Sequence, residues 1–262
     1  MGDIYLQKWG QAGQAALLLH PALASSDMWR SLAENLTDLL AMVAVDFPGH
    51  GRSADWDCMG DYHGACSEIA AAQLSKPMHI IGHSFGATVA LRIALEHPEM
   101  VHSLTLIEPV LFAAAKGTKA YFQHEVEFQP FITAMQAGDR QRATQVFTKL
   151  WGTGAAWDNF PAATKAYLSA RIDLIPASSP AINDDNAGLL NTGRLESLNC
   201  PVLLLKGEKS PVIINAIHSA LAARLPNVQR VQVDGAGHML PMTHVKIVSG
   251  IIRNFISAIT SD

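Results

Sequence analysis

Cysteine is scarce in this sequence. The 262 residues include three cysteines, Cys58, Cys66 and Cys200, and their spacing matches neither a metal site nor a disulfide framework. Unpaired cysteines are typical of proteins in a reducing compartment. Residues 1–6 also lack the basic and apolar regions that begin a signal peptide. We therefore expect a cytoplasmic protein.

Charged residues and long apolar runs are also limited. Charged residues make up 16% of the chain, and 19 Lys and Arg against 23 Asp and Glu give a formal net charge of −4. Because there is no basic block, we expect neither nucleic acid nor an anionic membrane as a partner. The sequence contains no run of about 18 apolar residues, so no membrane-spanning helix is expected.

Short apolar segments are abundant, and hydrophobic residues reach 49% of the chain. Runs typical of buried strands alternate with segments of helical periodicity. The predicted strands are residues 15–19, 42–45, 78–81, 104–107, 202–205 and 228–233. The predicted helices are residues 28–40, 62–74, 87–95, 213–225 and 245–259. This alternation predicts an α/β fold with a mostly parallel, doubly wound sheet. Residues 5–9 and 15–19 are expected to form an initial hairpin.

The segment 111–195 departs from this alternation. It has helical and aromatic sequence with Gly and Pro breaks, but no clear strand. We interpret it as a helical cap inserted into a core formed by residues 1–110 and 196–262. Aromatic residues that are candidates to line an apolar pocket under this cap are Trp29, Phe112, Phe122, Phe128, Phe131, Trp151, Trp157 and Phe160.

A Gly-His-Ser-Phe-Gly sequence at residues 82–86 lies between a predicted strand and a predicted helix. A serine on such a turn is typical of a nucleophile elbow, in which the backbone presents the hydroxyl to a pocket. Gly82 and Gly86 are expected because a Cβ at either position would collide with the neighbouring strand or helix. This context makes Ser84 the candidate nucleophile.

Three further motifs occur in a consistent order around the elbow. They are His-Pro-Ala at residues 20–22, Asp-Phe-Pro-Gly-His-Gly-Arg-Ser at residues 46–53, and Gly-Ala-Gly-His at residues 235–238. Together with the elbow, they resemble the α/β-hydrolase superfamily over nearly the whole chain. The resemblance implies that Ser84 is the nucleophile and His238 its base. It also implies that residues 46–53 are structural and that the cap selects the substrate.

The third member of the implied triad departs from the family pattern. Most members place an acid where this chain has Ser210, and a serine cannot stabilise an imidazolium by charge. Glu208 lies two residues earlier in the same loop. Glu108 follows the strand after the nucleophile helix, which is the acid position of the haloalkane dehalogenase-like branch. We favour Glu108 and keep Glu208 as the alternative.

The expected oxyanion hole consists of two backbone N–H groups. One belongs to Phe85, the residue after the nucleophile. The other is expected from Ala22, because Pro21 has no N–H. His83 is expected to support the elbow rather than to transfer protons.

These residues predict a serine hydrolase that cleaves a carboxylic ester, thioester or lactone through an acyl-enzyme intermediate. The expected substrate is small and apolar to amphipathic, and the reaction needs neither a metal nor a cofactor. Carbon–carbon bond hydrolysis and cofactor-free haloperoxidase chemistry are alternatives on the same fold. A non-enzymatic receptor for a small ligand is an alternative of another class, suggested by the missing acid at position 210.

Overall fold

The structure, a computed structural model, describes residues 2–259. Within this range seven strands form a single sheet in the order β1-β3-β2-β4-β5-β6-β7. The strands are β1 (Leu6–Trp9), β2 (Gln14–Leu19), β3 (Leu40–Val45), β4 (Met78–His83), β5 (Val101–Ile107), β6 (Val202–Gly207) and β7 (Val228–Val233). All neighbouring strands are parallel except β1 and β3. The predicted mostly parallel sheet is confirmed.

Helices lie between the strands from β2 onward and after the last strand. They are α1 (Arg30–Glu34), α2 (Tyr62–Ala71), α3 (Phe85–Glu96), α4 (Lys119–Gln136), α5 (Arg140–Trp151), α6 (Ala162–Arg171), α7 (Leu174–Ile182), α8 (Val212–Ala222), α9 (Leu240–Thr243) and α10 (Val245–Ile259). Helices α4 to α7 lie between β5 and β6 in the chain, and the described residues of segment 111–195 include no strand. Across residues 2–259, none of the helices combines the length and apolarity needed to cross a membrane.

The sheet is buried on both faces. On β2, Leu17 and Leu19 belong to a buried cluster that includes side chains of α2, α3 and α8. Leu18, which points to the opposite face, belongs to a second cluster with side chains of α1 and α10. Alternate residues of a strand point to opposite faces. The near-continuous apolar sequence of the central strands therefore results from helices on both sides.

The predicted initial hairpin is wrong. Strand β1 pairs antiparallel with β3, and β3 separates β1 from β2 in the sheet. The residues of β2 from Ala16 to Leu19 are fully buried, whereas β1 is half-buried or exposed throughout. An apolar strand such as β2 needs neighbours on both edges, so it takes a central place and β1 becomes the edge strand.

The predicted helix over residues 28–40 is also wrong in its extent. A 3₁₀ turn at Ser26–Trp29 leads into the short helix α1, which ends at Glu34. The Asn35 side chain donates to the Ser31 carbonyl oxygen at 2.6 Å, and the Thr37 hydroxyl donates to the Glu34 carbonyl oxygen at 3.3 Å. Such side-chain bonds to the backbone favour turns over continued helix.

Buried histidines are a further feature of the core. Burial lowers the pKa of seven histidines, to about 4 or about 3 where a value is resolved; they are His20, His50, His63, His79, His83, His124 and His218. These side chains are therefore neutral in the folded protein at neutral pH. In the unfolded chain they would titrate near pH 6.5.

We expect acid to destabilise the fold well before carboxylates are protonated. Below about pH 6.5 the unfolded chain binds protons that the folded chain does not, so the free energy of unfolding falls as the pH is lowered toward about 4. Urea unfolding followed by circular dichroism at pH 7, 6 and 5 should show a loss of several kcal/mol. His218→Gln should reduce this pH dependence, whereas substitution of the exposed His97 by Gln should not. A free energy of unfolding that stays constant from pH 7 to 5 would contradict this prediction.

Candidate active site

Ser84 occupies the turn between β4 and α3. Its backbone has φ 54° and ψ −117°, a conformation that costs energy for any residue with a Cβ. The Ser84 N–H donates to the Ile107 carbonyl oxygen at 2.8 Å, which fixes the turn to the end of β5. The side chain is 8% exposed. The predicted strand–turn–helix setting of Ser84 is present.

The two glycines of the elbow allow close backbone approach. A Cβ on Gly82 would meet the carbonyl oxygen of Gly86 and the Cα of Ala87 at the start of α3. A Cβ on Gly86 would meet the carbonyl oxygens of Leu19 and His20 at the end of β2. Both glycines are therefore required, as the sequence predicted, and Gly86 brings the loop after β2 against the start of α3.

His238 lies in the loop after β7 and reaches back to the elbow. Its Nε2 is 3.0 Å from Ser84 Oγ, and its Nδ1 is 2.9 Å from Glu108 Oε2. The side chain is almost fully buried. The Trp151 ring covers it edge-on, with 4.8 Å between ring centroids. His83 Nε2 lies 2.9 Å from the His238 carbonyl oxygen, to which it can donate, and so braces this loop.

Glu108 follows β5 directly and has φ 52°. It is fully buried. Its Oε2 faces His238, while its Oε1 accepts hydrogen bonds from Gly207 N and Ser210 Oγ, both at 2.7 Å. A buried carboxylate needs such donors to remain ionised. The carboxylate therefore receives donors from two different loops.

The alternative acid, Glu208, lies on the outside of the same region. Its side chain is exposed and accepts a hydrogen bond from Gly235 N at 2.8 Å. The His238 ring is bonded to Glu108 instead. Ser210, at the position where an acid was expected, donates to Glu108. The structure thus brings Ser84, His238 and Glu108 together and leaves Glu208 outside this group.

The two residues expected to supply oxyanion N–H groups, Phe85 and Ala22, line the same cavity as Ser84. Phe85 is the first residue of α3, so its N–H has no partner within the helix. In the loop after β2, Pro21 has no N–H, and the Leu23 N–H donates to His50 Nε2 at 2.9 Å. Ala22 therefore supplies the remaining N–H of this turn.

Neutral histidines and a buried carboxylate hold these loops. His20 Nε2 accepts a hydrogen bond from Phe47 N at 3.0 Å. It can accept because burial lowers the His20 pKa to about 4. The buried Asp46 accepts hydrogen bonds from Ser26 N at 2.6 Å and from Arg52 N at 2.9 Å. Residues 46–53 therefore brace the loops around the site, which agrees with the structural role predicted for them.

A cavity of about 180 Å³ opens on Ser84. Side chains of α4, α5 and α7 form much of its wall. Its lining residues are Ala22, Ser84, Phe85, Val110, Phe112, His124, Phe128, Phe131, Ile132, Phe147, Trp151, Ile175, Pro176, Ser178, Ser179, Ile182 and Asn183. None of them is an Asp, Glu, Lys or Arg. The cavity therefore suits an uncharged, largely apolar group.

Sequence reasoning found some of these lining residues and missed others. Phe112, Phe128, Phe131 and Trp151 line the cavity as proposed. Phe147 and His124 were missed, although both occur at buried or half-buried positions of helices with apolar neighbours.

The other aromatic candidates lie elsewhere. Trp29 packs in the core on the opposite face of the sheet, Phe122 is exposed, and Phe160 lines a neighbouring groove. Trp157 packs edge-on against Phe160. In residues 2–259, no cluster of three or more His, Cys, Asp or Glu side chains has the placement of a metal site.

Comparison with known proteins agrees with this architecture. A family model described as "alpha/beta hydrolase fold" matches residues 15–245. The chain is 33% identical to lipase LipV of Mycobacterium tuberculosis over 265 aligned residues, covering 96% of this chain and 97% of LipV. It is 25% identical to the pimeloyl-[acyl-carrier protein] methyl ester esterase of Nitrosomonas europaea, covering 91% of this chain and 93% of the esterase.

A solved structure supports the same fold. MGS-M2, an α/β hydrolase enzyme from a Medee basin deep-sea metagenome library, aligns with a TM-score of 0.79 at 16% identity, covering 98% of this chain and 94% of MGS-M2. The sheet order, the elbow serine and the family match over residues 15–245 lead to one conclusion. This chain belongs to the α/β-hydrolase fold family.

Proposed function

We propose that this protein is a serine hydrolase that cleaves carboxylic esters, including thioesters and lactones, through an acyl-enzyme intermediate. The observation that carries the proposal is the continuous hydrogen-bond chain from Ser84 Oγ, which lines the cavity, through His238 to Glu108. Similarity to a lipase and to a methyl ester esterase along nearly the whole chain supports ester hydrolysis.

In the proposed reaction, Ser84 Oγ attacks the carbonyl carbon while His238 Nε2 takes the hydroxyl proton. Glu108 stabilises the imidazolium and holds the tautomer that leaves Nε2 free to accept. The N–H groups of Phe85 and Ala22 stabilise the negative charge on the carbonyl oxygen. His238 then protonates the leaving alcohol. A water molecule, deprotonated by His238, hydrolyses the acyl-enzyme and releases the acid.

The same proposal gives segment 111–195 the role of a cap that selects the substrate. Its helices provide most of the cavity wall, and Phe131, Ala143 and Ile172 form a small core among α4, α5 and the end of α6. The apolar wall favours a small, apolar to amphipathic ester.

The free cysteines Cys58, Cys66 and Cys200 support a reducing compartment, such as the cytoplasm.

The alternatives receive less support. A carbon–carbon hydrolase would need polar cap groups over Ser84. The polar side chains on and just after α7 are bonded locally: Ser178 Oγ donates to the Ile175 carbonyl oxygen, and Asn183 donates to Ser179 Oγ. A receptor would not need the hydrogen-bond chain of Ser84, His238 and Glu108. An aryl ester assay with a fluorophosphonate probe separates these functions.

Ser84→Ala should reduce hydrolysis of a short aryl ester by about a million-fold, to the detection limit, because the nucleophile is lost. A fluorophosphonate should add one adduct per chain at Ser84 in the unmodified protein and none in the variant, as measured by intact and peptide mass spectrometry. Matching circular dichroism spectra would confirm that the variant folds. If the folded, unmodified protein neither reacts with the probe nor hydrolyses the ester, the proposed function is wrong.

Glu108→Gln should lower kcat by about a thousand-fold or more, because the amide no longer stabilises the imidazolium or selects its tautomer. Glu208→Gln is the matched control, since Gln still accepts a hydrogen bond from Gly235 N, and it should retain near-full kcat. Steady-state kinetics with one aryl ester compares the two variants directly. The opposite ranking would assign the acid to Glu208.

The Ser210 position allows the acid to be moved. Ser210 Oγ is 2.7 Å from Glu108 Oε1, so an aspartate there would place a carboxylate beside the one that is removed. The double variant Glu108→Gln/Ser210→Asp should recover about ten-fold or more of the kcat lost in Glu108→Gln, because charge returns near the imidazolium. Glu108→Gln/Ser210→Asn is the uncharged control. Equal activity of the two double variants would refute a charge-based role at this site.

A further inference from the structure

One polar side chain in the cavity is distinct from the rest. His124 lies on α4 and is 7% exposed. Its ring stacks on Phe112, with 4.4 Å between centroids, and on Phe128, with 5.4 Å. The Trp151 ring meets it edge-on at 5.7 Å and separates it from His238. His124 therefore belongs to the cavity wall and not to the hydrogen-bond chain of Ser84.

The ring nitrogens of His124 have no hydrogen-bond partner among residues 2–259. The hydroxyl groups of the wall do have partners. Ser84 is bonded to His238, Ser178 to a backbone carbonyl, and Ser179 to Asn183. The His124 nitrogens are not among the fully buried unpartnered atoms of the described residues, so the ring keeps some exposure where it lines the cavity. The ring of His124 thus offers the cavity one donor and one acceptor that no side chain of the wall uses.

The chemistry of this side chain limits the group it can bind. Burial lowers the pKa of His124 to about 4, so the ring is neutral, with one nitrogen donating and the other accepting. A carboxylate would be buried without a cation, because no Lys or Arg lines the cavity. A hydroxyl both donates and accepts, so it can pair with either nitrogen.

The cavity is expected to hold the acyl group in the proposed reaction. It is lined by Ser84 and by the oxyanion residues Ala22 and Phe85, but not by His238. His238 lines a separate opening together with Met239. Ser84, which would carry the acyl group, lines the cavity and does not line that opening. The acyl group then occupies the cavity in which His124 lies.

We propose that His124 binds a hydroxyl group on the acyl chain, so that the preferred substrates are esters of hydroxyalkanoic acids. This inference rests on the proposed function and deepens it. His124 acts as a specificity-determining residue: its aromatic neighbours bind the hydrocarbon part of the chain, and its ring nitrogen binds the hydroxyl.

The test compares p-nitrophenyl esters of ω-hydroxyalkanoic acids with matched unsubstituted esters, from butanoyl to decanoyl. The ratio of kcat/KM between each hydroxylated ester and its partner should reach a maximum at one chain length in the unmodified protein. His124→Phe keeps an aromatic ring in the stack and removes both nitrogens. At that chain length it should lower the ratio about ten-fold or more, because the buried hydroxyl loses its partner. The readout is the ratio and not either kcat/KM alone, because a change that affects both esters alike cancels in the ratio.

Two further variants keep the test decisive. His124→Gln, which retains a donor and an acceptor, should preserve part of the preference. Ser178→Ala, which removes a polar wall side chain already bonded to its own helix, should leave the ratio unchanged. A ratio that His124→Phe does not change at any chain length overturns this inference but not ester hydrolysis. Failure to hydrolyse both series would instead overturn the proposed function.

Discussion

The site depends on one buried carboxylate, that of Glu108. It receives hydrogen bonds from the His238 ring, from the Gly207 backbone and from the Ser210 hydroxyl. These donors come from the last residue of β6 and from the loops after β6 and β7, while Glu108 itself follows β5. The carboxyl ends of three neighbouring strands therefore converge on one charge. Because a buried charge must be satisfied, the same contacts that stabilise these loops also orient His238 toward Ser84.

Close backbone packing makes this convergence possible. Ser84 and Glu108 follow the neighbouring strands β4 and β5, and both have positive φ, which turns each side chain toward the same edge. Glycines allow the surrounding loops to approach. Gly207 is one of them, since a Cβ there would meet the carbonyl oxygens of Ala236 and Gly237, next to His238. The strain of the two turns is offset by the packing of the sheet around them.

The parts of the molecule governed by local sequence were predictable. The strand, turn and helix around Ser84 follow from the glycines and the apolar run, and the motif order placed His238. Pairings between distant segments were harder to predict. The place of β1 beside β3 depends on which strands take the central positions in the sheet. Family resemblance made Glu108 the candidate acid, whereas the hydrogen bond that Ser210 donates to Glu108 follows only from three-dimensional contact. His124 was missed because its burial depends on the packing of α4 against Phe112 and Trp151.

The proposed mechanism depends on the hydrogen bond between Glu108 and the His238 ring, and proton NMR detects the proton in that bond directly. In selectively ¹⁵N-histidine-labelled protein, the His238 Nδ1–H should give a strongly downfield resonance, because its proton is shared with a carboxylate. The resonance should be unchanged in Glu208→Gln and should move upfield or disappear in Glu108→Gln. A resonance that is unaffected by Glu108→Gln, or lost in Glu208→Gln, would contradict the account.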